Sequence, residues 1–159
     1  CEFAFRLDRN LKPRSRPYER AEVADAVAAL HPSIEIVSGH FVDWLNMGIA
    51  HTIADNGTDG ALAYGPGVER WQALDLPAMQ VTLDINGHTI QRGTGSNVLG
   101  DPLTALVWLV NAVSQRGHEL MAGGFYNTGT ATSMQVAEPG DRVIANFRGL
   151  GSVEVNLGG

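Results

Sequence analysis

An α+β domain organised on a curved, largely antiparallel sheet is predicted by three features of the sequence. Many short runs alternate apolar and polar residues, only a few stretches show helical spacing, and 19 glycines punctuate the 159 residues. That length suits one sizeable core and is short for two. One domain over 1–159 is therefore expected, with no repeat, low-complexity tract or linker to divide it.

The first strand is read in Cys1 to Asp8, where Cys1, Phe3, Phe5 and Leu7 fall on one face and Glu2, Ala4 and Arg6 on the other. Arg9 to Tyr18, with Pro13 and Pro17, reads as loop. Val23, Ala26, Val27 and Leu30 recur at helical spacing, so a helix is expected over Arg20 to Leu30, closed by His31-Pro32. A second strand follows in Ser33 to Val37, with Ile34 and Ile36 on one face and Glu35 and Val37 on the other. From Ser38 to Thr58 the residues Phe41, Trp44, Leu45 and Ile49 fit one helical face, against which Gly39 and Gly48 argue.

Ala61 to Tyr64 reads as a short buried strand, and Pro66 to Pro77 as a loop tucking Trp71 and Leu74 against the core. Val81, Leu83 and Ile85 alternate up to Asn86-Gly87, a strong hairpin signal, and His88 to Arg92 returns. Asp101-Pro102 is an N-cap followed by proline at the first helical position. Leu103, Leu106, Val107, Val110 and Val113 then form an apolar stripe that ends at Gly117. The last third is β: Phe125 to Thr128 leading into Gly129-Thr130, Val143 to Phe147 after the Pro139-Gly140-Asp141 turn, and Ser152 to Leu157.

Composition excludes several functions. Eleven basic against 17 acidic residues leave a net charge of −6, which argues against nucleic acid and anionic membrane as partners. The longest apolar run, Leu103 to Val110, is too short to span a bilayer. A single cysteine cannot form an internal disulfide, and no signal-peptide pattern is present, so a reducing cytoplasm is the expected compartment. The chain opens with Cys1 already inside a strand, which reads as a fragment lacking an N-terminal portion. Gly93, Gly95 and Gly100 have the wrong spacing for a dinucleotide loop. Asn56-Gly57-Thr58 matches a glycosylation sequon without a secretory context.

Glu2 and Glu35 are the anomalies, because a carboxylate among buried strand residues needs a cation, a proton or a dense set of donors. The plain alternative is a solvated sheet face, or a Glu2–Arg6 pair. The five histidines lack metal-ligand spacing and read as surface, His40 least clearly because it follows the Glu35 strand. Cys1 reads as a buried strand residue rather than a nucleophile.

The order of Glu2-Phe3-Ala4-Phe5, Pro32-Ser33-Ile34-Glu35-Ile36-Val37, Asp43-Trp44 and Ile53-Ala54-Asp55-Asn56 resembles a known family. So does the continuation through Asn97-Val98-Leu99-Gly100-Asp101-Pro102, Val107-Trp108-Leu109-Val110-Asn111, Asn127-Thr128-Gly129-Thr130, Glu138-Pro139-Gly140-Asp141 and Gly149-Leu150-Gly151-Ser152-Val153. Over essentially the whole chain the match is to the 2-keto-4-pentenoate hydratases of the fumarylacetoacetate hydrolase superfamily.

The resemblance implies a mixed, largely antiparallel β-roll of the fumarylacetoacetate hydrolase C-terminal type with a few flanking helices. It also implies a Mg²⁺ or Mn²⁺ cofactor, a 2-oxo acid substrate and assembly into a homo-oligomer. The implied reaction is hydration of a 2-hydroxy-2,4-dienoate to a 4-hydroxy-2-oxo acid in aromatic meta-cleavage catabolism. In the family the metal is held by a Glu-x-Glu pair and a third carboxylate. Glu2 matches the second member of the pair and Glu35 the third ligand, while the first would lie one residue before Cys1. The family's proton-handling lysine and acid also belong upstream, so no general acid or base is assigned.

Thr128 and Thr130 match the turn facing the substrate, and Asp55, Asn56 and Thr58 the loop near the site, Thr58 in a serine position. For the threonines a turn whose hydroxyls cap local backbone is the alternative reading. Ser38-Gly39-His40 departs from the commoner ending in Ser-Arg. A 2-oxo-3-enedioate decarboxylase of the 4-oxalocrotonate type is the alternative activity. An acylpyruvate C–C hydrolase and a non-catalytic partner subunit follow.

Overall fold

Strand β1 (Glu2–Leu7) forms where the alternation predicts, with Phe3, Phe5 and Leu7 fully buried. The structure, a computed structural model, describes residues 1–158. In it β1 pairs on one side with β2 (Val27–Val37) and on the other with β6 (Phe125–Thr130). β3 (Asp59–Tyr64) completes a sheet of order β3-β2-β1-β6. A second sheet has the order β5-β4-β7-β8, from β4 (Gln80–Ile85), β5 (His88–Thr94), β7 (Arg142–Phe147) and β8 (Gly151–Asn156). Every pairing between these strands is antiparallel.

The core lies between the sheets. Phe3 meets Phe147 of β7 edge to face with ring centroids 5.0 Å apart, and Phe5 meets Trp71 in the same manner at 5.5 Å. Val81, Leu83, Val143, Ala145 and Val153 complete it from the second sheet. Trp71 and Leu74 are tucked inward from the 66–77 loop as expected.

The helix expected over Arg20 to Leu30 is shorter. α1 (Arg20–Asp25) stops early, and Val27 to Leu30 already belong to β2, which runs through His31-Pro32 to Val37. Residues 27–34 of β2 are covered on both faces, and over Val27 to Leu30 both parities are apolar, a run that imitates helical spacing. Pro32 is tolerated because the donor it lacks would point to the β3 side. On that side its own carbonyl accepts from Gly65, Leu30 exchanges hydrogen bonds with Val68, and β3 has ended at Tyr64.

Between Ser38 and Thr58 there is a single 3₁₀ turn (Trp44–Asn46) and the short helix α2 (Ile49–Ala54). Phe41, Leu45, Ile49 and Ile53 are exposed rather than gathered on one buried face. The strand expected as buried at Ala61 to Tyr64 is instead the exposed edge of its sheet. Asn86 and Gly87 both take positive φ (52° and 83°), the conformation a two-residue hairpin turn with the right twist requires.

The helix α3 (Pro102–Gln115) buries Leu103, Leu106 and Val110, and the Asp101 carboxylate caps it by accepting from the Leu103 N–H at 2.8 Å. Asp101→Ala is expected to cost about 1 kcal/mol, read as a lower urea midpoint with an unchanged slope. Among the described residues no helix is long and apolar enough to cross a membrane.

Candidate active site

Directly opposed residues of an antiparallel pair share a face. Glu2 lies opposite Ser33 and Ala4 opposite His31, so the face of β1 turned away from the core continues onto β2. Glu35, two residues after Ser33, stands on that same face. The strand pairing thus brings together two carboxylates separated by 33 positions in the chain.

Glu2 is only 5% exposed. One of its oxygens, Oε2, accepts from the Gly129 N–H at 3.0 Å. Gly129 sits at φ +90°, left-handed backbone that glycine takes most readily, and the β1–β6 register shifts beside it between Glu2 and Ala4. The fully buried Ser33 hydroxyl donates to the Glu2 carbonyl at 2.8 Å and fixes the backbone beneath the carboxylate.

Burial pushes the Glu2 carboxyl up to about 7, reinforced by a hydrogen bond with the Glu35 carboxyl and by its charge, and the Gly129 N–H offsets part of the rise. Among the described residues neither Glu2 nor Glu35 makes an ion pair, so the Glu2–Arg6 pairing is absent. The arrangement is a close acid pair that no lysine, arginine or histidine side chain among the described residues neutralises, with the Cys1 amino group near enough to act on both carboxylates.

Among the described residues no group of three or more His, Cys, Asp or Glu side chains is placed to share one metal ion. Two carboxylates still suit a hard divalent cation. Mg²⁺ commonly takes one or two and fills its other positions with water and ligand oxygens. The fit of Glu2 and Glu35 to such an ion lies in their chemistry: an all-oxygen donor set, half desolvated and mutually repelling when ionised, which a double positive charge would neutralise.

Thr128 and Thr130 flank Gly129 at the β6 end of the same face. The Thr128 hydroxyl accepts from the Phe3 N–H at 3.3 Å, and the Thr130 hydroxyl donates to the Thr132 carbonyl at 2.6 Å, so both engage backbone. Asn56 and Thr58 are placed differently, in the turn between α2 and β3. With Gly57 they form a run of positive φ (53°, 76° and 60°), and Thr58 is buried. The Thr58 carbonyl accepts from Ser38, just past the end of β2, and no hydrogen bond joins Asn56 or Thr58 to Glu2 among the described residues.

Three features escape sequence reasoning. The Gly129 N–H is a backbone donor whose only trace in sequence is a glycine inside a strand-like run. His31, read as surface, is buried at 7% exposure. Its Nδ1 donates to the Gly65 carbonyl at 2.8 Å, while Gly67 crowds the Nε2 edge. His40 donates through its backbone N–H and ring Nδ1 to the two oxygens of the buried Asp55 carboxylate, at 2.9 and 2.6 Å, anchoring the chain where it leaves β2. Alternation with Ser33 could have signalled His31; nothing local signals the His40–Asp55 pair.

Two antiparallel sheets around one core, with an unneutralised pair of carboxylates on the outer face of one sheet, define a β-rich domain with an acidic, cation-seeking centre. The chain belongs to the fumarylacetoacetate (FAA) hydrolase C-terminal family, whose pattern it matches over residues 1–157. A 2-keto-4-pentenoate hydratase of Paraburkholderia xenovorans is 34% identical over 157 residues, covering 99% of this chain and 57% of the relative. A 4-oxalocrotonate decarboxylase of Pseudomonas putida is 29% identical, covering 85% of this chain and 52% of the relative. The solved structure of 4-oxalocrotonate decarboxylase from Pseudomonas putida G7, complexed with magnesium and adipate, superposes with a TM-score of 0.87. It is 25% identical and covers 98% of this chain and 58% of that one. The chain thus spans little more than half the length of these relatives.

Proposed function

We propose that this chain forms one catalytic domain of a metal-dependent hydratase that adds water to a 2-hydroxy-2,4-dienoate, giving a 4-hydroxy-2-oxo acid in the breakdown of aromatic compounds. The observation that carries this reading is the Glu2–Glu35 pair, close together on one sheet face and paired with no lysine or arginine, in a chain 34% identical to a 2-keto-4-pentenoate hydratase. Glu2 and Glu35 would hold Mg²⁺ or Mn²⁺, and the magnesium in the decarboxylase structure supports that choice.

A divalent cation there would supply Lewis acidity to the carboxylate and keto oxygens of a 2-oxo acid, favouring enolate character at the adjoining carbon. The chain's own contribution is to position its carboxylates. The Gly129 N–H fixes one oxygen of Glu2, Ser33 pins the β1 backbone below it, and burial of Glu2 lowers the local dielectric so that charge interactions are strong. Thr128 and Thr130, flanking Gly129, would contact the substrate in this reading, as would Asn56 and Thr58 in the turn between α2 and β3.

The purified protein, given freshly generated 2-hydroxypenta-2,4-dienoate with Mg²⁺, is expected to yield a product heavier by one water, and none without the metal. Glu35→Ala should lower the rate at least about 100-fold. Loss of carbon dioxide from a 2-oxo-3-enedioate in place of hydration would favour the decarboxylase reading, for which the 29% identical relative and the magnesium–adipate structure speak. No reaction with either substrate would remove both.

A further inference from the structure

Beside the acid pair runs an apolar ledge for which the proposed chemistry gives no role. Leu62 of β3 lies directly opposite Glu35, and Tyr64 directly opposite Ser33, whose other cross-strand partner is Glu2. Both side chains therefore rise on the face that carries the carboxylates. The Tyr64 ring leans across the sheet and stacks on Phe125 of β6, with centroids 4.1 Å and planes 26° apart. His31 closes edge-on against both rings, at 5.7 and 4.9 Å. Ala4, opposite His31, is small enough to leave room for the rings above it. Held by Gly65 and sealed by Gly67, His31 supports the rings as a floor and is not presented to a ligand.

The ledge is open. Tyr64 is 50% and Leu62 37% exposed, although Leu62 lies opposite the half-buried Glu35 and Tyr64 opposite the fully buried Ser33. It also lacks positive charge. Across β1, β2, β3 and β6 the single lysine or arginine is Arg6, which pairs with Ala29 and Phe125 at the far side of the stacked rings.

We infer that Leu62, Tyr64 and Phe125 form the tail subsite of this centre, which selects 2-oxo acids whose chain beyond the keto carbon is uncharged and apolar. The inference rests on the 2-oxo acid reading above and narrows its substrate class. A flat hydrocarbon tail covers the exposed ring of Tyr64 and the Leu62 methyls, and each methylene buried there tightens binding about fourfold. A tail ending in a carboxylate would be stripped of water against the same apolar surface, with no lysine or arginine on the ledge to pair it. The ledge thus favours the hydratase substrate over the enedioate.

The test titrates the Mn²⁺-loaded protein calorimetrically with pyruvate, 2-oxopentanoate and 2-oxoadipate, which share the 2-oxo acid head and differ in tail. Relative to pyruvate, 2-oxopentanoate, two methylenes longer, is expected to bind about 16-fold more tightly and 2-oxoadipate no more tightly. Tyr64→Ala should erase the gain for 2-oxopentanoate while leaving pyruvate unchanged. Tyr64→Arg should make 2-oxoadipate the tighter ligand, a gain that misfolding cannot produce. Equal binding of the two longer acids by the parent protein, or Tyr64→Ala weakening pyruvate to the same extent, would overturn the subsite and leave the metal centre standing. Failure of pyruvate itself to bind would remove the 2-oxo acid reading and the subsite with it.

Discussion

Glu2→Gln is expected to raise the melting temperature of the metal-free protein at pH 8 and, in the same molecule, to abolish its response to Mg²⁺ or Mn²⁺. The first effect follows from the direction of the shift. The Glu2 carboxyl is pushed up to about 7 in the fold from about 4.5, so the native state holds its proton more tightly than the unfolded chain does. The stabilisation linked to that proton is complete below about pH 4.5 and disappears as pH rises through about 7. Above it, two ionised carboxylates face each other in a half-desolvated site, at a cost on the order of 2–3 kcal/mol.

A neutral amide of the same shape avoids that cost, so the variant should gain several degrees at pH 8 and lose most of its advantage at pH 5. Adding the divalent cation should reverse the order. The parent is stabilised by mass action as the ion binds the native state, and the variant, left with one carboxylate, is not. Calorimetric melting of both proteins at the two pH values, with and without Mn²⁺, makes the comparison. A parent whose melting point ignores the metal at pH 8 would end the assignment of Glu2 as a ligand.

The second large effect lies one residue away and points the other way. Phe3→Ala should destabilise the protein by about 3–5 kcal/mol. It empties a fully buried position between the two sheets and deletes the edge-to-face contact with Phe147. Phe3→Leu, which refills most of the volume, should cost roughly 1–2 kcal/mol. Urea denaturation of the three proteins gives the comparison directly. A loss below about 1 kcal/mol for the alanine variant would mean that Phe3 does not join the sheets as described.

The elements legible in the sequence are those whose signal is local. β1 alternates cleanly, Asn86-Gly87 specifies its own turn, and Asp101-Pro102 announces α3 by capping chemistry that needs no distant partner. β2 is misread in its first half because residues 27–34 are covered on both sides, so the pattern that separates strand from helix is erased where the strand is most deeply packed. The apolar residues between Phe41 and Ile53 mislead for the opposite reason, being apolar yet exposed.

The candidate site divides in the same manner. Glu2 and Glu35 stand out as charges inside apolar runs. Their proximity, the Gly129 donor and the His40–Asp55 bond depend on which strands and turns become neighbours, and that is settled by long-range pairing.

Glu2 and Phe3 are adjacent residues on opposite faces of β1, one in the acid pair and the other in the core. Because side chains alternate with a period of two, sliding β1 by a single residue against β2 would send phenylalanine into the polar centre and a carboxylate between the sheets. Substitutions in this strand can be graded in severity, but insertions and deletions cannot. The spacing of β1 is therefore held to the single residue by two unrelated demands at once, packing on one side and charge on the other.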